Sequence, residues 1–297
     1  MVTNEGLQLE QHNRRLQGYI FAFLAALGYG SASALGKLAL GSASPILIAS
    51  SAATVGGLML FAYRPTAKID RGSLPLFALV TLCGAIIGPI LFYSGLRLTS
   101  AVSTALLSNG ELLFTSIIAI AIFKESLSRR QYFASLLVVA GIVAISTNLN
   151  LHATSLLSNL AGSLFILGAT LSWSIENNLV RKLSLHVDAI VMAKWRNLVG
   201  GLTLLAFILV SGQNISIEAS TIPYIVLIGI IPVGLTTAFL YLALSRIGAV
   251  RSLLVFSTGS LFGTLYAHVL LGEPITSVQI VGGAILFAGI ILISRSD

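Results

Sequence analysis

The chain has 297 residues, of which 56% are hydrophobic and only 9% are charged, and its formal net charge is +7. Soluble domains carry about a quarter charged residues, so this composition excludes a soluble globule of this size. It also excludes a disordered chain, a collagen and a disulfide-stapled scaffold, because apolar residues dominate, the 28 glycines follow no triplet period, and Cys83 is the one cysteine. The sequence therefore indicates an integral membrane protein.

Ten apolar segments follow one another along the chain, each about as long as the ~20 residues that an α-helix needs to cross a bilayer. They are continuously apolar and about twice as long as the alternating strands of a membrane β-barrel. We therefore predict an all-α integral membrane protein whose residues 1–16 form a cytoplasmic N-terminal tail. The predicted spans are residues 17–36, 45–63, 74–96, 101–123, 131–148, 158–180, 188–211, 221–244, 250–271 and 276–294.

The loop cations are distributed unevenly between the two sides of the membrane. With a cytoplasmic N-terminus, the outer side receives only Lys37 and Arg97, and the other thirteen lie on the cytoplasmic side. This bias follows the positive-inside rule and places both termini in the cytoplasm. Because the cations are scattered between apolar segments, we expect no nucleic-acid partner. The cytoplasmic cations are Arg14, Arg15, Arg64, Lys68, Arg71, Lys124, Arg129, Arg130, Arg181, Lys182, Arg246, Arg251 and Arg295.

The second half of the chain repeats the first. A shift of 148 residues places residues 93–146 on 241–294 without a gap, and a shift of 144 residues places Tyr29 opposite Trp173. Each copy has five spans, an odd number, so the second copy is inverted in the membrane, and the basic loops exchange sides accordingly. Coincident pairs include Tyr93/Tyr241, Phe114/Phe262, Glu125/Glu273 and Gly141/Gly289. We predict a first five-helix repeat over 17–148, an outer connecting loop over 149–157 and an inverted second repeat over 158–294.

Inverted repeats are typical of secondary transporters, whose substrate sites lie near the membrane midplane at the repeat interface. A duplicated bundle with a purely structural role is the alternative. The sequence contains no phosphate-binding loop, paired-histidine motif or cysteine cluster. We therefore expect no enzyme activity, no cofactor, no metal site and no ATP-driven transport within this chain.

Two segments resemble a known family. Residues 101–106 (AVSTAL), followed at the end of the span by residues 123–128 (FKESLS), resemble the fourth-helix signature of the EamA-type members of the drug/metabolite transporter superfamily. Residues 271–276 (LGEPIT) resemble its second copy. The resemblance covers essentially the whole chain. It implies a ten-helix fold and the export of amino acids or other small metabolites, as in aromatic amino-acid exporters of the YddG type.

Polar residues on the fourth span make Glu111 the leading site candidate. Thr104, Ser108, Glu111 and Thr115 follow the i, i+4, i+7 spacing of one helical face, with Asn109 beside them. The family often has an acidic residue followed by proline here, whereas this chain has Gly110-Glu111, so we treat 101–123 as one helix. A midplane charge is costly, so we expect Glu111 to face a wet cavity, bind a substrate ammonium group or carry a proton. A structural hydrogen bond across the bundle is the alternative.

The equivalent first and sixth spans carry matching polar and aromatic pairs. Tyr29 and Ser33 share one face of the first span, and Trp173 and Asn177 are their counterparts in the sixth. Both pairs are expected to line a central cavity between the repeats. With Tyr93, the aromatic rings would cradle the apolar body of a substrate, and polar side chains would hold its ends.

Three charged residues lie at similar depth near the cytoplasmic side. Glu176 is placed to pair with Lys194 or Arg196, which point about 200° apart on the seventh span. One cation is therefore expected to face the cavity and receive a substrate carboxylate, and the other to extend to the headgroups. His268 is expected to serve proton coupling or a structural hydrogen bond. The predicted substrate-binding residues are Tyr29, Ser33, Tyr93, Ser108, Asn109, Glu111, Trp173, Glu176, Asn177, Lys194, Arg196, Tyr241 and His268.

Two prolines occupy equivalent spans and predict hinges. Pro89 follows Gly88 in the third span, and Pro232 lies near Gly234 in the eighth. Each proline removes a backbone hydrogen bond and kinks its helix. The hypothesis is that these two helices bend during gating, and a static kink is the alternative.

The sequence thus predicts a multi-pass transporter of a bacterial inner (plasma) membrane that exports small organic metabolites by alternating access. Amino acids with aromatic or other apolar side chains are the expected substrates. Its partners are the lipid bilayer and such a small molecule, and the oligomeric state stays open, with a monomer as one option. The alternatives are a membrane enzyme or lipid-handling protein acting on a bilayer-resident substrate, and a facilitative channel.

Overall fold

The structure is a computed structural model that describes residues 4–63, 69–123, 129–147, 153–213 and 215–294. Within these residues the regular elements are helices, and no strand is present. The α-helices are α1 (Asn4–Ala39), α2 (Pro45–Met59), α3 (Leu74–Thr81), α4 (Gly88–Leu98), α5 (Ala101–Leu107), α6 (Gly110–Phe123), α7 (Arg129–Thr147), α8 (Ala153–Leu183), α9 (Ala189–Val210), α10 (Ile222–Ile228), α11 (Thr236–Ile247), α12 (Ala249–Phe256), α13 (Gly259–Leu271) and α14 (Ser277–Ser294). Some sequence predictions lie outside the described residues, namely those on Arg64, Lys68, Lys124, Glu125, Arg295 and residues 149–152.

Six helical segments in the described part of the chain are long and apolar enough to cross a bilayer. They are Gln11–Ala39, Pro45–Ala62, Arg71–Leu98, Ala189–Val210, Ala219–Ile247 and Ala249–Leu271. Shorter apolar helices occupy Leu136–Ser146 and Ser277–Leu292. The chain is therefore an all-helical, multi-pass membrane protein, as its composition predicts.

Two helices are longer than the spans predicted for them. α1 begins at Asn4, so most of the predicted tail over residues 1–16 is helical. Leu, Gln, Glu and Arg fill this segment, and these residues are strong helix formers, so the helix continues beyond its apolar part. α8 likewise begins at Ala153 and continues to Leu183.

Side-chain caps set several of the helix starts. Ser44 accepts a hydrogen bond from the backbone N–H of Leu47 at the start of α2. Asp188 accepts from the first turn of α9, and Ser100 from Ser103 in α5. Such caps satisfy backbone N–H groups that have no partner within the helix.

The two proline-containing spans are each interrupted by a π-helical segment. Residues Leu82–Ile87 join α3 to α4 just before Gly88 and Pro89, and Gly229–Leu235 join α10 to α11 and contain Pro232. A shift of 148 residues places the first segment on residues 230–235 of the second. Both proline-containing spans therefore include a π-helical segment, and π turns are frequent at functional sites.

The fourth span is not one continuous helix, which corrects the prediction for residues 101–123. α5 ends at Leu107, a turn occupies Ser108 and Asn109, and α6 begins at Gly110. Ser108 donates its hydroxyl hydrogen to Thr104 O at 2.8 Å. Serine and asparagine are poor helix formers because their side chains compete for the backbone hydrogen bonds of the helix. Glycine is a poor helix former because it has no side chain to restrict the backbone. Thr104 therefore lies on a different helix from Glu111 and Thr115, and Ser108 lies in the turn between the two helices.

The ninth span is interrupted at the corresponding place. α12 ends at Phe256, and a turn at Ser257 and Thr258 precedes α13. Ser257 and Thr258 donate their hydroxyl hydrogens to Leu254 O and Val255 O, both at 2.7 Å. The same local competition for the backbone thus breaks both helices.

The contacts between helices occur in matched pairs. α1 packs on α11 and α13, and α8 packs on α4 and α6, which are the corresponding helices of the other half. α2 packs on α9, and α7 packs on α14. When a helix of the first half contacts a helix of the second half, the counterparts of these two helices also contact each other. The contacts between the halves are therefore reciprocal.

Glycines let these helices approach closely, and their contacts are reciprocal. Gly57 leaves no room for a Cβ atom against the backbone of Leu198, and Gly201 leaves none against Thr54. Under the shift of 144 residues, Gly57 corresponds to Gly201 and Thr54 to Leu198. Such reciprocity is the contact pattern of a two-fold axis, and small residues at interfaces are what packing in lipid requires.

Candidate functional site

A central cavity lies between the two halves of the bundle. Its wall is formed by α1, α2, α4, α6, α8, α9, α11 and α12, together with both π-helical segments. α7 and α14 contribute no described residue to it. The predicted site residues on this wall are Tyr29, Pro89, Tyr93, Glu111, Trp173, Glu176, Asn177, Arg196, Pro232 and Tyr241.

A buried ion pair joins α8 and α9 on one side of the cavity. Arg196 Nε and Nη2 donate to the two carboxylate oxygens of Glu176 at 2.7 and 3.1 Å. Tyr241 donates its hydroxyl to Glu176 Oε1, and Arg196 Nη1 donates to Asn197 Oδ1 at 2.5 Å. Glu176 and Arg196 are 3% and 6% exposed. Both charges are therefore removed from water and compensate each other.

Glu111 presents a second carboxylate to the same cavity, with a different set of partners. It lies in the first turn of α6, directly after the break in the fourth span, and is 4% exposed. Asn177 Nδ2 donates to its Oε1 at 2.6 Å, and Ser174 donates its hydroxyl to its backbone oxygen at 2.8 Å. No cation among the described residues forms an ion pair with it. Its carboxyl group thus has no ion-pair partner among these residues.

Aromatic rings form a cluster on the wall of the same cavity. Tyr29 meets Trp173 edge-on with ring centroids 6.0 Å apart, and Phe92 lies 5.5 Å from Trp173. Phe256 lies 4.8 Å from Tyr29, and Tyr93 lies 5.3 Å from Phe92. Tyr29 and Trp173 are related by the shift of 144 residues, so the repeat places equivalent rings against each other. The cluster offers π faces and edges to an apolar body.

Side chains of α8 donate hydrogen bonds to backbone carbonyl groups of the π-helical segment before Pro89. Trp173 Nε1 donates to Gly84 O at 3.1 Å, and Ser172 donates to Cys83 O at 2.8 Å. A Cβ atom at Gly84 would collide with the carboxylate of Glu176, and one at Gly88 with the indole of Trp173. These two glycines therefore fit the site's side chains as well as allowing helix packing.

Three of the predicted residues lie beside the central cavity. Ser108 and Asn109 line a smaller cavity that shares Tyr29 and Glu111 with the central one. Ser33 is buried and lines another small cavity, together with Tyr29. The structure thus brings these residues close to the site but not onto its main wall.

Three other predicted residues lie elsewhere. Lys194 Nζ sits 4.7 Å from the ring centroid of Phe61, which is a cation–π contact outside the cavity wall. His268 is exposed near the end of α13, and its Nδ1 lies 2.9 Å from Glu273 O. Gly234 packs on Gly56 and is not part of the wall.

Several residues of the site were not singled out from the sequence. Phe92 and Phe256 complete the aromatic cluster, and Asn197 completes the ion-pair network. The repeat carried one usable signal, because the shift of 148 residues places Ser108 on Phe256. Phe92 and Asn197 are direct neighbours of Tyr93 and Arg196, but nothing in their pattern distinguishes them from packing residues.

Comparison with known proteins gives a consistent family. A model of the EamA-like transporter family matches the chain twice, over residues 16–147 and 160–295. An uncharacterized transporter of Methanothermobacter thermautotrophicus is 29% identical over 94% of this chain and 87% of its own length. The uncharacterized transporter YyaM of Bacillus subtilis is 26% identical over 95% of this chain and 94% of its own.

A solved crystal structure shares the fold. It superimposes with a TM-score of 0.67 over 93% of this chain and 95% of its own, at 17% sequence identity. At this identity the likeness concerns the fold alone. The two matched halves and the relatives of similar length together show that the chain belongs to the EamA-like transporter family.

Proposed function

We propose that the protein is a secondary transporter that exports small organic metabolites by alternating access through the central cavity. Amino acids with aromatic or other apolar side chains are the proposed substrates. The observation that carries this proposal is the cavity itself, which combines an aromatic cluster with buried charged groups between the two halves.

The proposed architecture is two inverted repeats of five spans with both termini in the cytoplasm of a bacterial inner membrane. The first repeat would cover residues 17–148, the connecting loop 149–157 and the second repeat 158–294. The reciprocal helix contacts and the two matches to one family support the duplication. The placement of Lys and Arg in the sequence supports the orientation.

The cavity offers separate places for the parts of an aromatic amino acid. The rings of Tyr29, Phe92 and Trp173 would contact its side chain, and the carboxylate of Glu111 would attract its ammonium group. Three of the five guanidinium N–H groups of Arg196 are used by Glu176 and Asn197. Arg196 also lines the cavity, so its guanidinium group would meet a substrate carboxylate there.

The two π-helical segments are the proposed hinges of alternating access. Gly88 and Pro89 follow the first, and Pro232 and Gly234 lie within the second. A π turn can shift its hydrogen bonds by one residue, so bending there costs less than in a regular helix. Replacing Pro89 or Pro232 by alanine should slow exchange without weakening substrate binding, and unchanged exchange rates would contradict this role.

Counterflow in proteoliposomes tests the proposed function. Vesicles containing the full chain and loaded with L-phenylalanine should take up labelled L-phenylalanine saturably, and L-tryptophan should compete better than L-aspartate. Uptake that is linear in concentration and independent of internal substrate would identify a channel instead. Failure to move any amino acid would overturn the substrate assignment and favour a protein acting on a bilayer-resident molecule.

A further inference from the structure

The breaks of two membrane helices meet beside the central cavity. Asn109, in the break between α5 and α6, donates its Nδ2 hydrogen to Ser260 Oγ at 2.8 Å, and Ser260 follows the break between α12 and α13. Between them lies a second, smaller cavity with about the space of one water molecule. Its wall includes Ser108, Glu111 and Ser257 as well. The two breaks therefore enclose a small polar space at the depth of Glu111.

The serine hydroxyls around this space have already used their hydrogens. Ser108 donates to Thr104 O at 2.8 Å, Ser257 to Leu254 O at 2.7 Å, and Ser260 to Ser257 O at 2.9 Å. A hydroxyl group has one hydrogen and two acceptor lone pairs. All three hydroxyl groups can therefore meet a ligand only through oxygen lone pairs, as hydrogen-bond acceptors or as ligands to a cation.

The remaining polar groups add negative charge and one free hydroxyl. Glu111 lines the space with a carboxylate that has Asn177 as its one described side-chain donor and no described cation. The buried Tyr29 hydroxyl also lines it and has no hydrogen-bond partner among the described residues. Buried oxygens and an uncompensated charge at this depth are unfavourable unless a positive ligand meets them.

We propose that this space is a binding site for a compact monovalent cation, coordinated by Glu111 and by the hydroxyl oxygens of Ser108, Ser257 and Ser260. Interrupted membrane helices form such sites because they bring oxygen ligands to the midplane. A single carboxylate matches one positive charge, whereas a calcium site takes six to eight oxygen ligands and several carboxylates as a rule. The cation is either a sodium ion from solution or the primary ammonium group of a bound substrate.

The position of the site would link its occupancy to the central cavity. Tyr29, Glu111 and Phe256 line both spaces. A cation on Glu111 would add a positive charge at the wall of the central cavity and thereby change its affinity for a charged substrate. By linkage, substrate binding would change the affinity for the cation by the same factor. This inference concerns ion binding and goes beyond the proposed transport of a particular metabolite.

Thermal unfolding of the purified full-length protein tests the site without any transport. In one arm, NaCl replaces choline chloride at constant ionic strength, and in the other, phenethylamine is added in choline chloride. A ligand that binds only the folded protein raises its midpoint saturably. We expect such a rise in at least one arm, with at least a ten-fold weaker apparent affinity in Ser257→Ala.

Ser252→Ala is the matched control for Ser257→Ala. Both serines belong to the same helical region, both are buried, and Ser252 also donates its hydroxyl hydrogen to a backbone oxygen, Gly248 O, at 2.7 Å. Ser252 does not line the small cavity, so its variant should keep the response of the unmodified protein. A general loss of stability would affect both variants alike, and only a ligand role separates them.

The two arms identify the source of the cation. A rise with sodium alone supports an inorganic ion, and a rise with phenethylamine alone supports the ammonium group of a substrate. Flat responses in both arms would overturn the site, as would an equal response in Ser257→Ala and Ser252→Ala. Because no transport is measured, a failed counterflow experiment would leave a positive result here intact.

Discussion

Glu176 and Glu111 lie on the wall of the same cavity, are almost equally buried, and have very different partners. Glu176 receives two hydrogen bonds from Arg196 and one from Tyr241. Glu111 receives one described side-chain hydrogen bond, from Asn177, and no described cation lies within ion-pair distance of it. Glu176 and Arg196 together form a neutral ion pair, whereas Glu111 has no ion-pair partner among the described residues.

This difference separates two roles that depth in the membrane does not distinguish. The Glu176 carboxylate has little reason to bind a ligand, because hydrogen bonds from Arg196 and Tyr241 already compensate its desolvation. An uncompensated carboxylate in the same surroundings favours whatever positive ligand reaches it. We therefore assign Glu176 to the framework of the site and Glu111 to ligand binding, and the following predictions test that division.

The largest effect is expected from removing Arg196. Arg196→Met would leave Glu176 buried without its cation, and breaking one side of a buried pair costs about 3–5 kcal/mol. We expect little monodisperse protein in detergent. The double variant Arg196→Met/Glu176→Gln should recover much of it, because no unpaired charge remains. Size-exclusion chromatography and thermal midpoints measure both.

Lys194→Met is the control for this prediction. Lys194 lies on the same helix and is 8% exposed, but it contacts the ring of Phe61 and has no described ion-pair partner, and a desolvated cation–π contact contributes about 2 kcal/mol. Its variant should therefore stay folded. Equal stability of Arg196→Met and Lys194→Met would refute the framework role of the ion pair.

Glu111→Gln should separate binding from folding. Glutamine keeps the shape of the side chain and an oxygen that can accept from Asn177, so the protein should fold with a midpoint close to that of the unmodified chain. Loss of a charged interaction with a ligand is worth about 1.5–3 kcal/mol, which corresponds to a roughly 10- to 150-fold weaker affinity. Substrate affinity from counterflow kinetics measures the loss. Full affinity in this variant would show that the charge of Glu111 is not used.

A smaller effect is expected on the aromatic side of the cavity. Trp173→Leu removes the ring that meets Tyr29 and Phe92, as well as the hydrogen bond to Gly84 O. An aromatic pair contributes about 0.5–1.5 kcal/mol beyond its buried area, so affinity for an aromatic substrate should fall about two- to ten-fold. Trp173→Phe keeps a ring and should retain most of it. Equal losses in both variants would assign the effect to the lost hydrogen bond.

Much of the fold could be predicted from the sequence because membrane helices are governed by a strong, continuous signal. The apolar segments mark where helices cross, and the two prolines mark where the third and eighth spans are interrupted. The breaks at Ser108 and Ser257 were not predicted. They result from hydroxyl groups that bond to the backbone one turn earlier, and the same residues occur within unbroken membrane helices.

The site was predictable in its residues more than in its pairings. The sequence shows that Lys194 and Arg196 point in different directions, but not which of them meets Glu176. That choice depends on how α9 is rotated against α8 and α11, which is set by packing at positions such as Gly57 and Gly201. The different hydrogen-bond and ion-pair partners of Glu111 and Glu176 depend on this rotation and could not be predicted from the sequence.

The smallest effect is expected at His268, which sharpens the contrast between residues on the cavity wall and residues outside it. His268 is exposed, and its contact is the backbone oxygen of Glu273. The carboxylate of Glu273 does the structural work there, accepting from the backbone N–H groups of Ala101 and Val102 at 3.1 and 3.0 Å. His268→Ala should change stability by about 0.5 kcal/mol at most and leave counterflow unchanged. If His268 coupled protons to transport, this variant would instead show a flatter pH dependence of transport. A group outside the cavity wall would then contribute to transport along with Glu111.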